Sequence, residues 1–161
     1  MVLRDFLFSR FANKSYPAFK LILVSFSMPS TMKLTHVAIG IVVRNGQVLI
    51  CRRRATDPLA GYWEFPGGKV EPGESPADCL RRELREELGI EVKIRFALDP
   101  FEYTYPHIKV FLHPFLCDRA DGEATPLAAD ELRWIQPTEL ANYDFPPAND
   151  DLLEQLRQVL S

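Results

Sequence analysis

The segment from Gly67 to Ile90 constrains the fold more than any other part of this 161-residue chain. It opens with Gly67-Gly68, a pair that allows unusual backbone angles and close approach by other groups. A turn dipeptide, Pro72-Gly73, follows, and Ser75-Pro76 then supplies an N-cap and a proline at the first helical position. These signals predict a helix over residues 76–88 with Gly89 as its C-terminal cap. One face of this helix should be buried, because apolar residues recur at helical spacing at Cys79, Leu80, Leu84 and Leu88.

The same predicted helix carries three glutamates, Glu83, Glu86 and Glu87, whose spacing places them on one face. Carboxylates crowded in this way repel one another. With Glu74 and a glycine loop beside them, they are suitable oxygen ligands for a hard divalent cation such as Mg²⁺ or Mn²⁺. A short run of glutamates by itself is more often a solvated face paired with neighbouring arginines, so both interpretations stay open here.

The rest of the chain alternates between strand-like and helix-like segments. Residues 34–53 are predicted to form two strands joined by a type I′ turn at Asn45-Gly46. Residues 63–66 form a short apolar stretch, after which a loop is expected to begin at Gly67. β-Branched and aromatic content predicts further strands at 92–98, 101–105, 109–117 and 132–135, and helices are expected at 137–141 and 150–160. This order indicates an α/β (α+β) fold, a mixed β-sheet sandwiched between α-helices.

Composition and charge limit the class of protein. Hydrophobic residues make up 47% and charged residues 25% of the chain, as in a single globular domain. A formal net charge of −3 argues against a general nucleic-acid binder, because such proteins carry a basic patch. The three cysteines, Cys51, Cys79 and Cys117, lack the spacing of a disulfide framework or a zinc site. We expect them to be small apolar fillers in a protein of the reducing cytoplasm.

The first 31 residues differ in composition from the remainder. They contain four basic residues and one acid, whereas the rest of the chain holds 15 basic and 21 acidic residues. The apolar run at residues 21–26 is too short to span a membrane. We expect residues 1–31 to be either a disordered extension or the product of a misassigned start, with translation beginning at Met28 or Met32.

Residues 68–90, GKVEPGESPADCLRRELREELGI, match the Nudix box at every defined position of G-x5-E-x7-R-E-U-x-E-E-x-G-U, where U is a bulky aliphatic residue. The chain therefore resembles the Nudix hydrolases. This resemblance implies a Nudix fold for residues 32–161 and hydrolysis of a nucleoside diphosphate linked to another group. It implies Mg²⁺ as cofactor, with Mn²⁺ as a substitute, and the expected metal ligands are the Gly67 carbonyl, Glu74, Glu83, Glu86 and Glu87.

The resemblance also implies catalytic roles for Arg82, Glu83 and Glu86. Arg82 is expected to hold a carboxylate of the box in position by charge-assisted hydrogen bonds. Glu83 is the candidate general base. Glu74 is expected to serve either the loop or an outer metal.

Three segments that precede, adjoin and follow the box resemble the MutT-type 8-oxo-dGTP pyrophosphatases, namely ICRRR at 50–54, WEFPGGK at 63–69 and DFPPAN at 144–149. The implied substrate-binding residues are Arg53, Glu64, Phe65 and Asn149, with Asn149 reading the oxidised purine. Asn149 has an alternative role as a helix cap. Trp63 and Phe65 either flank the base or belong to the core. Arg52 and Arg54 are expected on the opposite strand face, in solvent.

The chain departs from the MutT-type pattern in two places. After Tyr105-Pro106 it is two residues shorter, so a substrate contact is either lost or replaced by His107. The late acidic metal ligand also has no clear counterpart, because Ala128 occupies its position. Asp130 or Glu131 is the expected substitute.

The expected activity is conversion of a nucleoside triphosphate, first of all 8-oxo-dGTP, to the monophosphate and pyrophosphate. The expected partner is a small nucleotide, without nucleic acid or membrane, and the expected state is a monomer or homodimer. Three alternatives remain: hydrolysis of CTP or a modified pyrimidine triphosphate, hydrolysis of ADP-ribose, and an inactive Nudix-fold binding module. The intact glutamates argue against the inactive module.

Overall fold

The structure, a computed structural model, describes residues 32–160, and the prediction for residues 1–31 lies outside this range. Within the described residues, eight strands form one sheet, and two α-helices pack against it. The strands are β1 (Leu34–Arg44), β2 (Gln47–Arg52), β3 (Trp63–Glu64), β4 (Gly67–Lys69), β5 (Glu91–Ala97), β6 (Phe101–Thr104), β7 (Lys109–Asp121) and β8 (Glu131–Ile135). The α-helices are α1 (Pro76–Leu88) and α2 (Asp150–Val159), and two 3₁₀ helices cover Pro137–Asn142 and Pro147–Asn149.

Parallel pairing of β1 with β7 organises the sheet. Their register runs from Leu34 opposite Lys109 to Val43 opposite Asp118. The other edge of β1 pairs with β4 and then with β2, and the other edge of β7 pairs with β6 and β5. Strands β3 and β8 both pair with β2. All pairs except β1–β7 in the described part of the chain are antiparallel, so the expected mixed sheet is confirmed.

Local sequence signals set the ends of the elements as predicted. Asn45 and Gly46 both have positive φ, 51° and 76°, as a type I′ turn requires. The Ser75 hydroxyl oxygen accepts a hydrogen bond from the Asp78 amide at 3.1 Å, which caps the start of α1. Gly89, with φ of 68°, ends α1 in the left-handed conformation.

Two hydrophobic cores lie on opposite faces of the sheet. Alternate residues of β1 divide between them: Ile39 and Ile41 join the core that contains Leu152 and Leu156 of α2, whereas Ala38 and Val42 join the core of α1. The predicted α1 stripe is buried in full, at Cys79, Leu80, Leu84 and Leu88. The sheet is therefore sandwiched between helices, as expected.

The three cysteines are free and buried, and all belong to the core that contains α1. Burial raises the pKa of each thiol to about 12, which makes them poor nucleophiles. Their predicted role as apolar fillers agrees with this environment.

Three predicted elements differ from the structure. The expected loop at Gly67 is wrong: Gly67–Lys69 forms β4, which pairs with residues 37–39 of β1 across a long sequence separation. The helix expected at 137–141 is a 3₁₀ helix, Pro137–Asn142, with Leu140 as its buried residue. Strand β7 continues to Asp121 rather than ending at Cys117, because β5 pairs along its full C-terminal half. Neither α-helix in residues 32–160 has the length and hydrophobicity required to cross a bilayer.

Candidate active site

The glycine pair of β4 brings the sheet and α1 into close contact. Gly67 has φ of +149°, and a Cβ atom there would lie 2.1 Å from the backbone oxygen of Ala38. A Cβ atom on Gly68 would lie 2.3 Å from the carboxylate carbon of Glu83. Position 67 therefore requires glycine for the strand pairing, whereas Gly68 leaves the space that the Glu83 carboxylate occupies.

Arg82 organises the acidic groups around it. Its Nε and Nη2 atoms donate to the two oxygens of Glu74 at 2.9 and 3.0 Å. Its Nη1 atom donates to Glu83 at 2.8 Å and to Glu86 at 3.3 Å. A planar guanidinium suits this forked arrangement, which an ammonium group could not reproduce. The structure thus gives Arg82 the contacts expected of a group that positions a carboxylate of the box.

Glu74 belongs to the loop. Hydrogen bonds from Arg82, and then from the Glu71 amide at 3.1 Å, lower the pKa of Glu74 to about 2. Its carboxylate is therefore ionised and held by Arg82, in the middle of α1. Two roles were left open for Glu74, stabilising the loop and binding an outer metal. These contacts favour the first.

The three helix glutamates have different environments. Glu83 has a side chain only 15% exposed, Glu87 is half-buried, and Glu86 is 61% exposed and directed to Arg82. Glu83 and Glu86 both accept from the Arg82 Nη1 atom, and the shared face expected for the three glutamates stays a prediction. Glu86 lies at the solvent edge of that face because α1 packs with Leu84 and Leu88 toward the sheet.

Negative charge accumulates between α1 and the sheet. Burial, and next the charges of Glu83 and Glu64, raise the pKa of Glu87 to about 7. Crowded carboxylates of this kind stabilise a cation placed among them, and an all-oxygen donor set suits a hard divalent ion. The chemistry of the donors therefore fits Mg²⁺.

The side chains are not gathered into a finished metal cage. Within residues 32–160, no three Asp, Glu, His or Cys side chains converge as a metal ion requires. The Arg82 guanidinium lies among three of the carboxylates and forms ion pairs with Glu74, Glu83 and Glu86. The metal ligands stay a prediction.

A cavity of about 480 Å³ adjoins the glycine pair. Its wall contains all four predicted substrate-binding residues, Arg53, Glu64, Phe65 and Asn149, together with Gly67. The remaining wall is largely apolar and includes Val37, Ile39, Pro58, Leu59, Tyr105, Ile108, Val110, Leu112, Pro146 and Ala148. A mostly apolar cavity with a few polar groups is typical of a small-molecule site.

Asn149 is one of two buried polar residues among those described, at 7% exposure. It is positioned at the N-cap of α2, but its side chain makes no capping hydrogen bond. The amide nitrogen instead donates to the carbonyl of Pro146 at 3.4 Å, within the cavity wall. Helix capping therefore does not explain this residue.

Arg53 and Glu64 are paired with each other in the cavity wall. The Arg53 Nη1 atom contacts the Glu64 carboxylate, and its Nε atom donates to the carbonyl of Pro58 at 2.7 Å. Burial raises the pKa of Glu64, and the charge of Arg53 opposes that rise. The negative charge of Glu64 in turn raises the pKa of Glu87, so the cavity and the carboxylates of α1 form one electrostatic unit.

Two aromatic residues expected near the base have separate positions. Phe65 lines the cavity and stacks on Phe145, with ring centroids 5.2 Å apart. Trp63 does not line it, because its ring packs edge-on against Tyr143 at 5.1 Å and lies under the guanidinium of Arg133. Of the two roles left open for Trp63, the structure supports packing in the core and not contact with the base.

Three further residues discussed from the sequence lie outside the cavity wall. His107 is exposed and does not line the cavity, where Tyr105 and Ile108 are found instead. Arg52 is exposed, as expected, and Arg54 donates to the carbonyl of Leu127 outside the cavity.

The substitute for the late acidic ligand stays a prediction. The Glu131 carboxylate accepts a hydrogen bond from Arg133 at 2.6 Å, and Asp130 is exposed. Ala128 is half-buried.

Leu59 and Tyr105 line the cavity although the sequence did not predict them as wall residues. Tyr105 carried a weak signal, since it follows Tyr103 by two residues at the tip of an aromatic hairpin, and their rings are in contact at 4.8 Å. Leu59 carried none, because its position depends on the path of an irregular loop.

Comparisons with known proteins agree with this geometry. The NUDIX domain family model matches residues 37–155. The 8-oxo-dGTP diphosphatase of Escherichia coli is 35% identical over 129 residues, covering 80% of this chain and 100% of that protein. The CTP pyrophosphohydrolase of Escherichia coli is 38% identical over 129 residues, covering 76% and 91%.

Solved structures show the same likeness. The E. coli ORF135 protein superimposes with a TM-score of 0.69 at 36% identity, covering 80% of this chain and 91% of that one. A MutT structure from a study of Aliivibrio salmonicida and Vibrio cholerae gives a TM-score of 0.64 at 34% identity, covering 79% and 99%.

Proposed function

The chain belongs to the Nudix hydrolase family, and on that premise we propose that it converts 8-oxo-dGTP to 8-oxo-dGMP and pyrophosphate. Such an activity removes oxidised nucleotide before it enters DNA. The single observation that carries the proposal is the cavity wall that unites Asn149 and Arg53 with the glycine pair next to α1.

Asn149 supplies the discrimination in this proposal. Oxidation of guanine at C8 converts N7 from a hydrogen-bond acceptor into an N–H donor. A side-chain amide can accept from that new donor and donate to the neighbouring carbonyl, whereas the unoxidised base leaves the amide oxygen facing an acceptor. A buried polar group without its partner costs ~1–3 kcal/mol, which corresponds to roughly tenfold to hundredfold discrimination.

Hydrolysis in this proposal is assigned to the carboxylates of α1. Mg²⁺ held by Glu83, Glu86, Glu87 and the Gly67 carbonyl would supply neutralisation of polyphosphate charge and a water of lowered pKa. Glu83 is the candidate base that takes the proton from the attacking water. Arg82 fixes the Glu83 carboxylate by the hydrogen bond at 2.8 Å, so that it approaches the nucleophile in one orientation.

Substitution of the carboxylates tests this assignment. Glu83→Gln and Glu87→Gln keep the side-chain shape and remove the charge, so each should lower kcat by at least about a hundredfold. Arg85→Gln is the matched control, because Arg85 is on the same helix and pairs with Glu91 in solvent. Near-normal turnover in both glutamine variants would refute the assignment.

A substrate panel tests the choice of nucleotide. Wild-type protein with Mg²⁺ is given 8-oxo-dGTP, dGTP, CTP, 5-methyl-dCTP and ADP-ribose, and kcat/KM is scored by released pyrophosphate or phosphate. We expect 8-oxo-dGTP to be preferred over dGTP by at least about tenfold. Equal values for these two nucleotides would contradict the role of Asn149. Binding without hydrolysis of any compound would identify an inactive binding module.

Hydrolysis of CTP or a modified pyrimidine triphosphate is the second candidate. The relative named CTP pyrophosphohydrolase matches at 38% identity, slightly above the 35% of the relative named 8-oxo-dGTP diphosphatase. The panel separates the two, because the family-wide phosphate chemistry is common to both and only the base differs. We further propose that the enzyme is a cytoplasmic monomer or homodimer that acts on free nucleotides rather than on nucleic acid or membrane.

A further inference from the structure

Leu59 combines three features. Its backbone has φ of +59°, in the left-handed region, where the Cβ atom of an ordinary L-residue is crowded by the neighbouring carbonyl. The residue is 41% exposed. It also lines the cavity that contains Arg53 and Asn149.

The left-handed conformation of Leu59 does not serve its own burial. The other non-glycine residue with positive φ in residues 32–160 is Asn45, a residue type that tolerates this region and here forms a hairpin turn. A β-turn with asparagine or glycine would meet the same need at position 59 with less strain. The leucine therefore carries a conformational cost and an exposed apolar surface without a compensating contribution to the core.

The surrounding loop holds Leu59 in this conformation. The Leu59 carbonyl accepts a hydrogen bond from the Tyr62 amide at 3.2 Å, and the Arg53 carbonyl accepts from the Gly61 amide at 3.3 Å. On the other side, the carbonyl of Pro58 accepts from the Arg53 side chain at 2.7 Å. Since Arg53 is itself paired with Glu64, the loop position is fixed from the cavity wall.

We propose that Leu59 is a binding residue whose side chain packs on the base of the bound nucleotide, an inference that rests on the proposed use of the cavity for a nucleotide. The apolar wall residues Val37, Ile39 and Phe65 belong to the same cavity, so a flat ring placed there would be enclosed by apolar groups. A base has an apolar face that suits such contacts, whereas ribose hydroxyls and phosphates do not. The bound base covers the exposed leucine, and this contact offsets the strain of the left-handed backbone.

Substitution by glycine separates binding from stability. Leu59→Gly removes the side chain and relieves the left-handed backbone, so the melting temperature should be unchanged or higher. Loss of an apolar contact of roughly half a leucine side chain should raise KM about tenfold, the equivalent of ~1.4 kcal/mol. The kcat value should stay within about threefold, because Leu59 does not approach the carboxylates of α1. Leu59→Met, which restores an apolar side chain of similar volume, should return KM to within about threefold of wild type.

Ala60→Gly is the matched control. Ala60 is the next residue of the same loop, exposed and outside the cavity wall, so glycine there loosens the loop without removing a wall contact. Its KM should equal that of wild type. A tenfold rise in KM for Ala60→Gly as well, or an unchanged KM for Leu59→Gly, would overturn the inference.

The variants are measured with whichever nucleotide the wild-type protein hydrolyses best, and binding of the corresponding monophosphate is followed by titration calorimetry. Preference for a pyrimidine would refute the proposed substrate, and the Leu59 comparison would still decide the inference about the base contact. A wild-type protein that neither hydrolyses nor binds any nucleotide of the panel would overturn both.

Discussion

Gly68 offers the sharpest test of whether the position of Glu83 governs catalysis. A Cβ atom at Gly68 would lie 2.3 Å from the Glu83 carboxylate carbon, against 3.4 Å for an ordinary contact, so Gly68→Ala must displace that carboxylate by about 1 Å. The clash involves the flexible end of a side chain, and the backbone of Gly68 is not in the left-handed region. The fold can therefore accommodate the change although the carboxylate cannot stay in place.

The expected loss of activity follows from this displacement. A misplacement of about 1 Å costs roughly a hundredfold in rate, or ~2.7 kcal/mol of transition-state stabilisation. The hydrogen bond from Arg82 to Glu83 at 2.8 Å is weakened, which costs ~0.2–1 kcal/mol of stability in a partly exposed ion pair. Replacement of glycine by alanine restricts the unfolded chain and offsets this by ~0.4–1 kcal/mol. The melting temperature should consequently stay within about 3 °C of wild type.

Gly67→Ala provides the contrast. Its Cβ atom would lie 2.1 Å from the rigid backbone oxygen of Ala38, and the residue has φ of +149°. Both effects act on the strand pairing, so destabilisation by about 3 kcal/mol or more, roughly 10 °C in melting temperature, is expected. Activity is measured as kcat/KM from pyrophosphate release, and stability by circular dichroism melts. If Gly68→Ala keeps kcat/KM within threefold of wild type, or melts as low as Gly67→Ala, the reasoning about Glu83 is wrong.

Three further outcomes are expected. Arg82→Lys removes the forked hydrogen bonds to Glu74 and Glu83. It should lower kcat by about tenfold to a hundredfold in steady-state assays with little change in KM. A similar loss of kcat/KM through KM alone would contradict a positioning role. Leu84 is fully buried beneath α1, so Leu84→Ala opens a void there. The free energy of unfolding, measured with urea, should fall by ~2–5 kcal/mol. A decrease of less than about 1 kcal/mol would contradict close packing at this position. Burial, and next the charge of His36, lower the pKa of His113. The folded protein therefore favours the neutral imidazole. This contribution to the free energy of unfolding is complete above about pH 6.5 and is lost as the pH falls. Melts at pH 7.5 and 5.5 should accordingly show a larger decrease for wild type than for His113→Gln, and equal decreases would exclude this cause.

Local features of the chain could be predicted because their causes lie within a few residues. Ser75-Pro76, the apolar stripe and Gly89 determine where α1 begins, which face it buries and where it ends. The Asn45-Gly46 turn likewise needs only its own backbone angles. The spacing of the glutamates with Arg82 and Gly68 identified the family without any knowledge of the sheet.

The tertiary structure alone decided how these pieces meet. The parallel pairing of residues 34–43 with 109–118, together with β4 on the other edge of β1, assembles the cavity from segments far apart in sequence. That assembly places Asn149 and Leu59 in the cavity wall and leaves Trp63 outside it. It also leaves Glu86 at the solvent side of its helix. Helix caps and turns depend on neighbours along the chain, whereas a residue's place in a cavity depends on strand register and loop path. Strand register and loop path depend on packing between distant parts of the chain, so they cannot be predicted from a short segment of sequence.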